Sequence, residues 1–172
     1  MSVLLREYEQ SDADAVNSVA LAAFEELKSH YDDWPAFSKR IGKMASMAED
    51  GELIVATVQE NVAGAVTYVG PGKEKREYFP VEWPILRMLV VAPLYRGLGI
   101  GRALTEECVR RAHRDGAPVI ALHTTPIMKV ALPMYERMGF KYQHETPSIF
   151  GVPYGVYVKD FAAQQGAAVD GG

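Results

Sequence analysis

The chain has 172 residues, 48% hydrophobic and 23% charged, with a net charge of −4 and a single cysteine, which fits one soluble globular domain with a sizeable core. The acidic balance argues against nucleic acid as a partner, and lone Cys108 excludes an internal disulfide. No apolar run approaches membrane-spanning length and the N-terminus lacks a signal-peptide pattern, so no membrane partner and a cytoplasmic location are expected.

Residues 3–9 read as a first strand. Ser11, with Asp14 three positions on, fits a capping-box start, and Ala13, Val16, Val19, Ala20, Ala23, Phe24 and Leu27 then recur at helical spacing. A second helix is predicted from Asp33-Trp34-Pro35, where Asp caps and Pro suits the first turn. Phe37, Ile41, Met44 and Ala48 form its apolar stripe, and Gly51 ends it. Phe24, Tyr31 and Trp34 fit either a core or the wall of a pocket. Residues 53–59 and 62–69 are β-rich runs around Glu60-Asn61, the pattern of a hairpin. Residues 70–84 then make a long connection, and loops of that length inside a compact domain tend to be functional. Its charged run, Lys73-Glu74-Lys75-Arg76-Glu77, reads as solvated.

Met88 to Val91 is a continuous apolar run, as in a strand covered on both faces, and Pro93 ends it. Arg96-Gly97-Leu98-Gly99-Ile100-Gly101-Arg102 follows, opening a helix over 100–114. Glycines allow backbone N–H groups to approach a ligand, and the helix start adds unpaired N–H groups and partial positive charge. With two flanking arginines this is a seat for phosphate or pyrophosphate. Spacing narrows the ligand. Leu104 stands where a dinucleotide fingerprint needs its third glycine, and no Lys-Ser or Lys-Thr of a Walker loop follows, which disfavours a nucleotide-binding module. A strand-to-helix turn without a ligand would carry the same glycines.

The helix carries Ile100, Ala103, Leu104, Cys108 and Ala112 along one side, so Cys108 reads as packing rather than as a nucleophile. Glu106 with Arg110 and Glu107 with Arg111 are i,i+4 pairs expected on its solvated side. Residues 119–124 are an apolar strand, which makes the centre a right-handed β–α–β crossover between parallel strands. A short helix is predicted over 130–138, with Pro133 in its first turn and Gly139 after it. Residues 140–145 and 156–161 are closing strands joined through Pro147, Gly151 and Pro153. Residues 162–172 read as a tail, leaving 1–161 as one domain.

Two segments, R-x-x-G-x-G from Arg96 to Gly101 and Ala131-Leu132-Pro133-Met134-Tyr135-Glu136-Arg137-Met138-Gly139-Phe140, lie in a matching order of elements. Together they resemble the GNAT family of N-acetyltransferases over nearly the whole chain. The resemblance implies an α/β (α+β) single-domain fold: a mixed, mostly antiparallel sheet with a parallel, splayed strand pair, flanked by about four helices. It implies transfer of an acetyl group from acetyl-coenzyme A to an amine. By the same resemblance the cofactor lies against the main chain of Leu89, Val90 and Val91. Its pyrophosphate rests on Arg96, Gly97, Leu98, Gly99, Ile100, Gly101 and Arg102, while Ala131, Met134 and Tyr135 complete the cofactor site. Tyr135 occupies the position that often protonates the departing thiolate. The family's common Asn is Met128 here, which removes a side-chain hydrogen bond to the cofactor. No metal is implied, the acceptor is a small-molecule or protein amine, and homodimers are common in the family. An acyl-coenzyme-A-binding regulatory domain without turnover is the alternative.

An amine with a lysine-like pKa arrives protonated at neutral pH, so something must take a proton before it attacks. Glu82 leads, because Trp83 and Pro84 would shield it from water and raise its pKa. A loop carboxylate paired with Arg or Lys is the competing reading. His123, at the end of its strand, is the second candidate, against a hydrogen-bonded structural role. His144 is the third.

Overall fold

One seven-stranded sheet, in the order β1-β2-β3-β4-β5-β7-β6, organises the chain. In the computed structural model, which describes residues 2–162, the strands are β1 (Val3–Glu7), β2 (Glu52–Val58), β3 (Asn61–Val69), β4 (Ile85–Val91), β5 (Val119–Thr124), β6 (Lys141–Ile149) and β7 (Val152–Asp160). The helices are α1 (Ala13–Glu25), α2 (Trp34–Ile41), α3 (Ile100–Arg114) and α4 (Ala131–Arg137). Every pairing is antiparallel except β4 with β5, joined by the α3 crossover. The expected tail lies outside the described residues beyond Ala162. Among the described residues no helix is long and apolar enough to cross a membrane.

Alternation along the strands splits the core in two. Ile54 and Ala56 of β2 join Ile100, Leu104 and Cys108 of α3 and Tyr135 of α4 on one face. Leu53 and Val55 join Val16, Ala20 and Phe24 of α1 and Phe37 and Ile41 of α2 on the other. Each fully buried Val, Leu, Ile or Phe side chain of these cores contributes about 1.5–3 kcal/mol. Cys108 is fully buried and its thiol pKa is pushed up by that burial, in line with packing.

Several boundaries differ from the sequence expectation, each for a local reason. The capping box is Glu9 with Asp12, not Ser11 with Asp14. Asp12 is buried, takes both guanidinium nitrogens of Arg6 at 2.7 and 2.8 Å, and accepts the Glu9 N–H at 2.8 Å, so an ion pair to β1 fixes where α1 begins. Asp33 caps α2 as expected, accepting the Ala36 N–H at 3.1 Å. That helix stops at Ile41, however, and 44–49 continue as 3₁₀ turns. The hairpin turn is Gln59-Glu60, at φ 50° and 68°, one residue before the expected pair. The closing strands run through Pro147 and Pro153. Strand β6 is an edge, with a register shift between Thr146 and Ile149 around Pro147, and β5 reaches β7 only from Gly155 onward. Neither proline therefore sits between two full ladders. Arg111 is not on a solvated face: it crosses from α3 to Glu7 of β1 and to Glu52 of β2, 2.8 Å away, besides Glu107 at 2.9 Å.

The feature that makes a site is the parting of β4 and β5. They pair only at Ile85 with Ala121 and Leu86 with Leu122. Two residues on, Met88 takes a left-handed conformation (φ 56°), and the β3–β4 register shifts between Ala65 and Thr67. A bulge bends a strand and increases its twist, and here it turns β4 away from β5.

Candidate active site

Past Leu86, the β5-facing edge of β4 has no strand opposite it. The Ala92 N–H reaches back to Ala63 of β3 at 2.8 Å, and the Val90 carbonyl faces Gly64 of β3. Main-chain groups alternate along a strand, so Leu89 and Val91 turn theirs into the gap. Val90 does not: its side chain is buried in the α1–α2 core and its carbonyl points to β3, which removes it from the expected cofactor contacts.

The glycines of the loop serve two purposes. Gly97 and Gly99 have φ of 85° and 78°, with open space where a Cβ would stand; they are conformational. Gly101, in the first turn of α3, has no such φ. A Cβ there would make ordinary contact, at 3.8 Å, with the side chains of Leu89, Val91 and Met134, so anything larger than a methyl would press into the space between β4, α3 and α4. Ile100 is buried in the core, and only because Gly64 lacks a Cβ, which would meet Ile100 at 2.9 Å. That anchors the start of α3 against the sheet. Leu98 remains at the surface. The two arginines beside the loop are exposed, Arg96 bonded to Glu26 at 2.6 Å and Arg102 to Glu106 at 2.8 Å. Exposed pairs of this kind exchange partners at little cost. The first N–H groups of a fifteen-residue helix, with these cations, can seat an anion.

Beside the gap is a cavity of about 370 Å³, lined among others by Phe24, Phe37, Leu89, His123, Ala131 and Tyr135. Tyr135 is buried edge-on against Phe140, 5.7 Å between ring centres. Burial, and then nearby Cys108, pushes its phenol pKa up, so it holds a proton at neutral pH. His123 faces the same space between the rings of Tyr78 and Tyr154, with Nε2 bonded to the Thr146 hydroxyl and Nδ1 3.3 Å from the Tyr78 hydroxyl. Burial, then Arg76 and Arg87, pushes its pKa down to about 4. It is neutral at physiological pH.

Glu82 is elsewhere. It is exposed on the 70–84 loop and does not line the cavity, its charge acting on Lys75. The shielding expected from Trp83 and Pro84 is not there. In the charged run Lys73, Glu74, Arg76 and Glu77 are exposed as expected, and only Lys75 is drawn in, donating to the carbonyls of Gly70, Lys73 and Val81 at 2.7, 2.9 and 3.0 Å and drawing the loop closed. His144 is exposed on the edge strand. Of the three helix aromatics only Phe24 lines the cavity. Tyr31 supports it from behind through a 2.6 Å hydroxyl contact with Tyr154, and Trp34 packs beside Tyr31. Sequence reasoning missed Tyr78, Tyr154, Arg40 and Arg87, which line the cavity from four separate elements and share no local motif. Met128, in place of the family's Asn, lines it too.

A second, more open groove of about 590 Å³ lies between Glu49–Glu52 and Arg114–Asp115. Arg114 is paired there with Glu52 and Asp115, and the Tyr68 hydroxyl donates to Asp115. None of the motif residues lines it. Among the described residues no group of three or more His, Cys, Asp or Glu could hold a metal.

The fold recurs in solved structures. A GCN5-related N-acetyltransferase of Rhodopseudomonas palustris superposes with a TM-score of 0.73 at 21% identity, over 93% of this chain and 96% of that one. A structure described as histone acetyltransferase HPA2 and related acetyltransferase, from Corynebacterium glutamicum, gives 0.72 at 22%, over 93% and 97%. The yncA protein of Salmonella typhimurium, solved with its cofactor acetyl-CoA, gives 0.68 at 15%, over 94% and 95%. No curated protein matches the chain in sequence. The family model "Acetyltransferase (GNAT) family" matches residues 13–140, from the start of α1 to the residue before β6. The chain belongs to the GNAT acetyltransferase family.

Proposed function

We propose that the protein is an acetyl-CoA-dependent N-acetyltransferase, residues 1–161 acting as one unit, whose amine acceptor enters the cavity beside the β4–β5 gap. The observation that carries this reading is the convergence of both motifs there. Gly101 of the loop faces the side chains of Leu89, Val91 and Met134, which a Cβ on it would meet at 3.8 Å, and Tyr135 of the second segment lines the adjoining cavity with Ala131. The fit to the coenzyme rests on three features: an open β4 edge, a glycine at 101 that leaves the helix start without a side chain toward β4 and α4, and a helix start flanked by arginines. The yncA relative with acetyl-CoA bound has the same fold, which supports the cofactor's identity.

The main chain of Leu89 and Val91 would hold the coenzyme's amide-bearing arm, and the N–H groups from Gly97 to Arg102 its pyrophosphate. Acetyl-CoA supplies the acetyl group activated as a thioester. Tyr135 keeps its proton at neutral pH and donates it to the departing thiolate through Oη. Glu82 stands outside the cavity and the cationic surroundings of His123 oppose its protonation, so the acceptor's proton leaves through water, which the neutral His123 ring helps to position. The test is thiol release from acetyl-CoA by the purified protein across a panel of amines. Acceptor-dependent release is expected. Tight coenzyme binding without release for any amine would establish the regulatory alternative instead.

A further inference from the structure

The charge inside the cavity is one-sided. Arg40 of α2, Lys43 after it, Lys75 and Arg76 of the 70–84 loop, and Arg87 of β4 line it, and no Asp or Glu does. Lys75 is committed to three backbone carbonyls. The three arginines are not committed to any carboxylate. None of them forms an ion pair among the described residues, and Arg40 contacts only a ring face, 5.8 Å from the centre of Phe150.

Arg87 is the informative member. It is half-buried between Leu86 and the bulged Met88. Burial and the nearby charge of Arg76 both disfavour its cation, and the attraction of Asp50 is weaker than the Arg76 repulsion. A guanidinium does not deprotonate in response. A half-buried cation held next to two others, with Asp50 acting only at a distance and no carboxylate in contact, is costly unless something anionic completes the site. Arginine forks match carboxylate and phosphonate oxygens two at a time.

The coenzyme does not account for this cluster. Leu89 and Val91 pack against the α3–α4 core, whereas Met88 and Val90 pack against the α1–α2 core, and Arg40 belongs to α2. The cations therefore lie on the acceptor side of the sheet, across from the α3 start. Phe24, Phe37 and Phe79 supply an apolar wall there.

We propose that the acceptor is a small amine that also carries an anionic group, a carboxylate or phosphonate, seated on Arg87 with Arg76 and Arg40, its nitrogen lying toward the gap beside Tyr135. This rests on the acetyltransferase reading above. Polyamines and lysine side chains, positively charged, meet a like-charged wall.

Two measurements test it. The first compares kcat/KM for the α-amino acids, their amides and short aminoalkylphosphonates, in wild type and Arg87→Met. The best anionic amine should exceed its neutral counterpart about tenfold or more, the worth of one charge-assisted contact. Arg87→Met should erase that preference, raising KM for the anionic amine far more than for its neutral counterpart. Equal rates for acid and amide, a polyamine as best acceptor, or equal losses on both in Arg87→Met would overturn the proposal. The second reads binding without turnover, by phosphorus NMR line broadening of aminomethylphosphonate on the coenzyme-A-saturated protein. Broadening that is lost in Arg87→Met, or in Arg76→Met should the first variant fail to fold, is expected. Broadening without thiol release for any amine would fault the enzymatic reading and keep the anion seat. No broadening in wild type, or none lost in the variants, would remove the seat.

Discussion

The Tyr78 hydroxyl stands 3.3 Å from Nδ1 of His123, joining the 70–84 loop to the end of β5 across the mouth of the cavity. With Nε2 on Thr146, both ring nitrogens are engaged by hydroxyl groups and the ring is packed against Tyr78. The imidazole's pKa falls from 6.5 to about 4, first through burial and then through Arg76 and Arg87. The sign follows from linkage. Between these values the unfolded chain binds a proton that the folded one refuses, so stability is full above pH 6.5 and declines as pH falls toward 4. The ring is partly open to solvent, whose screening leaves this residue on the order of 1–2 kcal/mol of that decline. Denaturant unfolding of wild type and His123→Gln at several pH values across the window should give a shallower decline for the variant. Parallel curves would remove His123 as the source.

Tyr135 is buried with its proton retained and no acidic partner. Tyr135→Phe keeps the ring against Phe140 and removes only the hydroxyl. We expect kcat to fall about tenfold or more, within what general acid catalysis contributes. Coenzyme affinity and melting temperature should hardly move. Single-turnover thiol release, where chemistry is slowest, is the measurement, and an unchanged rate would leave Tyr135 a packing residue.

The loop glycines should fail in different ways. At Gly101 a side chain is conformationally acceptable, but one larger than a methyl presses against Leu89, Val91 and Met134 beside the open edge of β4. Gly101→Val should stay folded and bind coenzyme A at least about tenfold more weakly by calorimetry, roughly the 1.4 kcal/mol of one obstructed contact. At Gly99 space is free but φ is 78°, so Gly99→Ala should cost about 1 kcal/mol of stability through backbone strain alone. Equal behaviour of the two variants would contradict the division of roles.

The two motifs were legible because each is local: a strand, a turn and a helix start in one stretch for the loop, and a short helix with its glycine stop for the other. Their convergence on the β4–β5 gap depends on Met88, where a non-glycine residue adopts φ 56°. Nothing in an apolar run announces such a bulge, since a strand without it has the same composition. The acceptor side was illegible for another reason. Arg40, Arg76 and Arg87 come from a helix, a loop and a strand, and only the folded chain sets them around one space. Glu82 illustrates the converse error. Its neighbours in sequence are bulky, but a bulky neighbour shields a carboxylate only if the chain folds it over, and here the loop closes around Lys75 and leaves Glu82 outside.

The route of the acceptor's proton gives the last prediction. If Glu82 were the base, Glu82→Gln would lower kcat/KM and displace its acidic limb. It is exposed and off the cavity lining, so we expect that variant to match wild type at every pH. His123 titrates near 4 and stays neutral throughout the range above about pH 5. No ionisation of His123 therefore shapes the profile there. What changes is the acceptor, whose reactive free amine grows about tenfold per pH unit until its own pKa is reached. The logarithm of kcat/KM should rise with unit slope toward the pKa of whichever amine is used, shifting when a less basic amine replaces it. His123→Gln should lower the line without bending it, as befits a residue that positions the water but does not titrate in this window. A plateau that stays at one pH for amines of different basicity would reveal an enzyme group as the base, and Glu82→Gln would show whether that group is the exposed carboxylate after all.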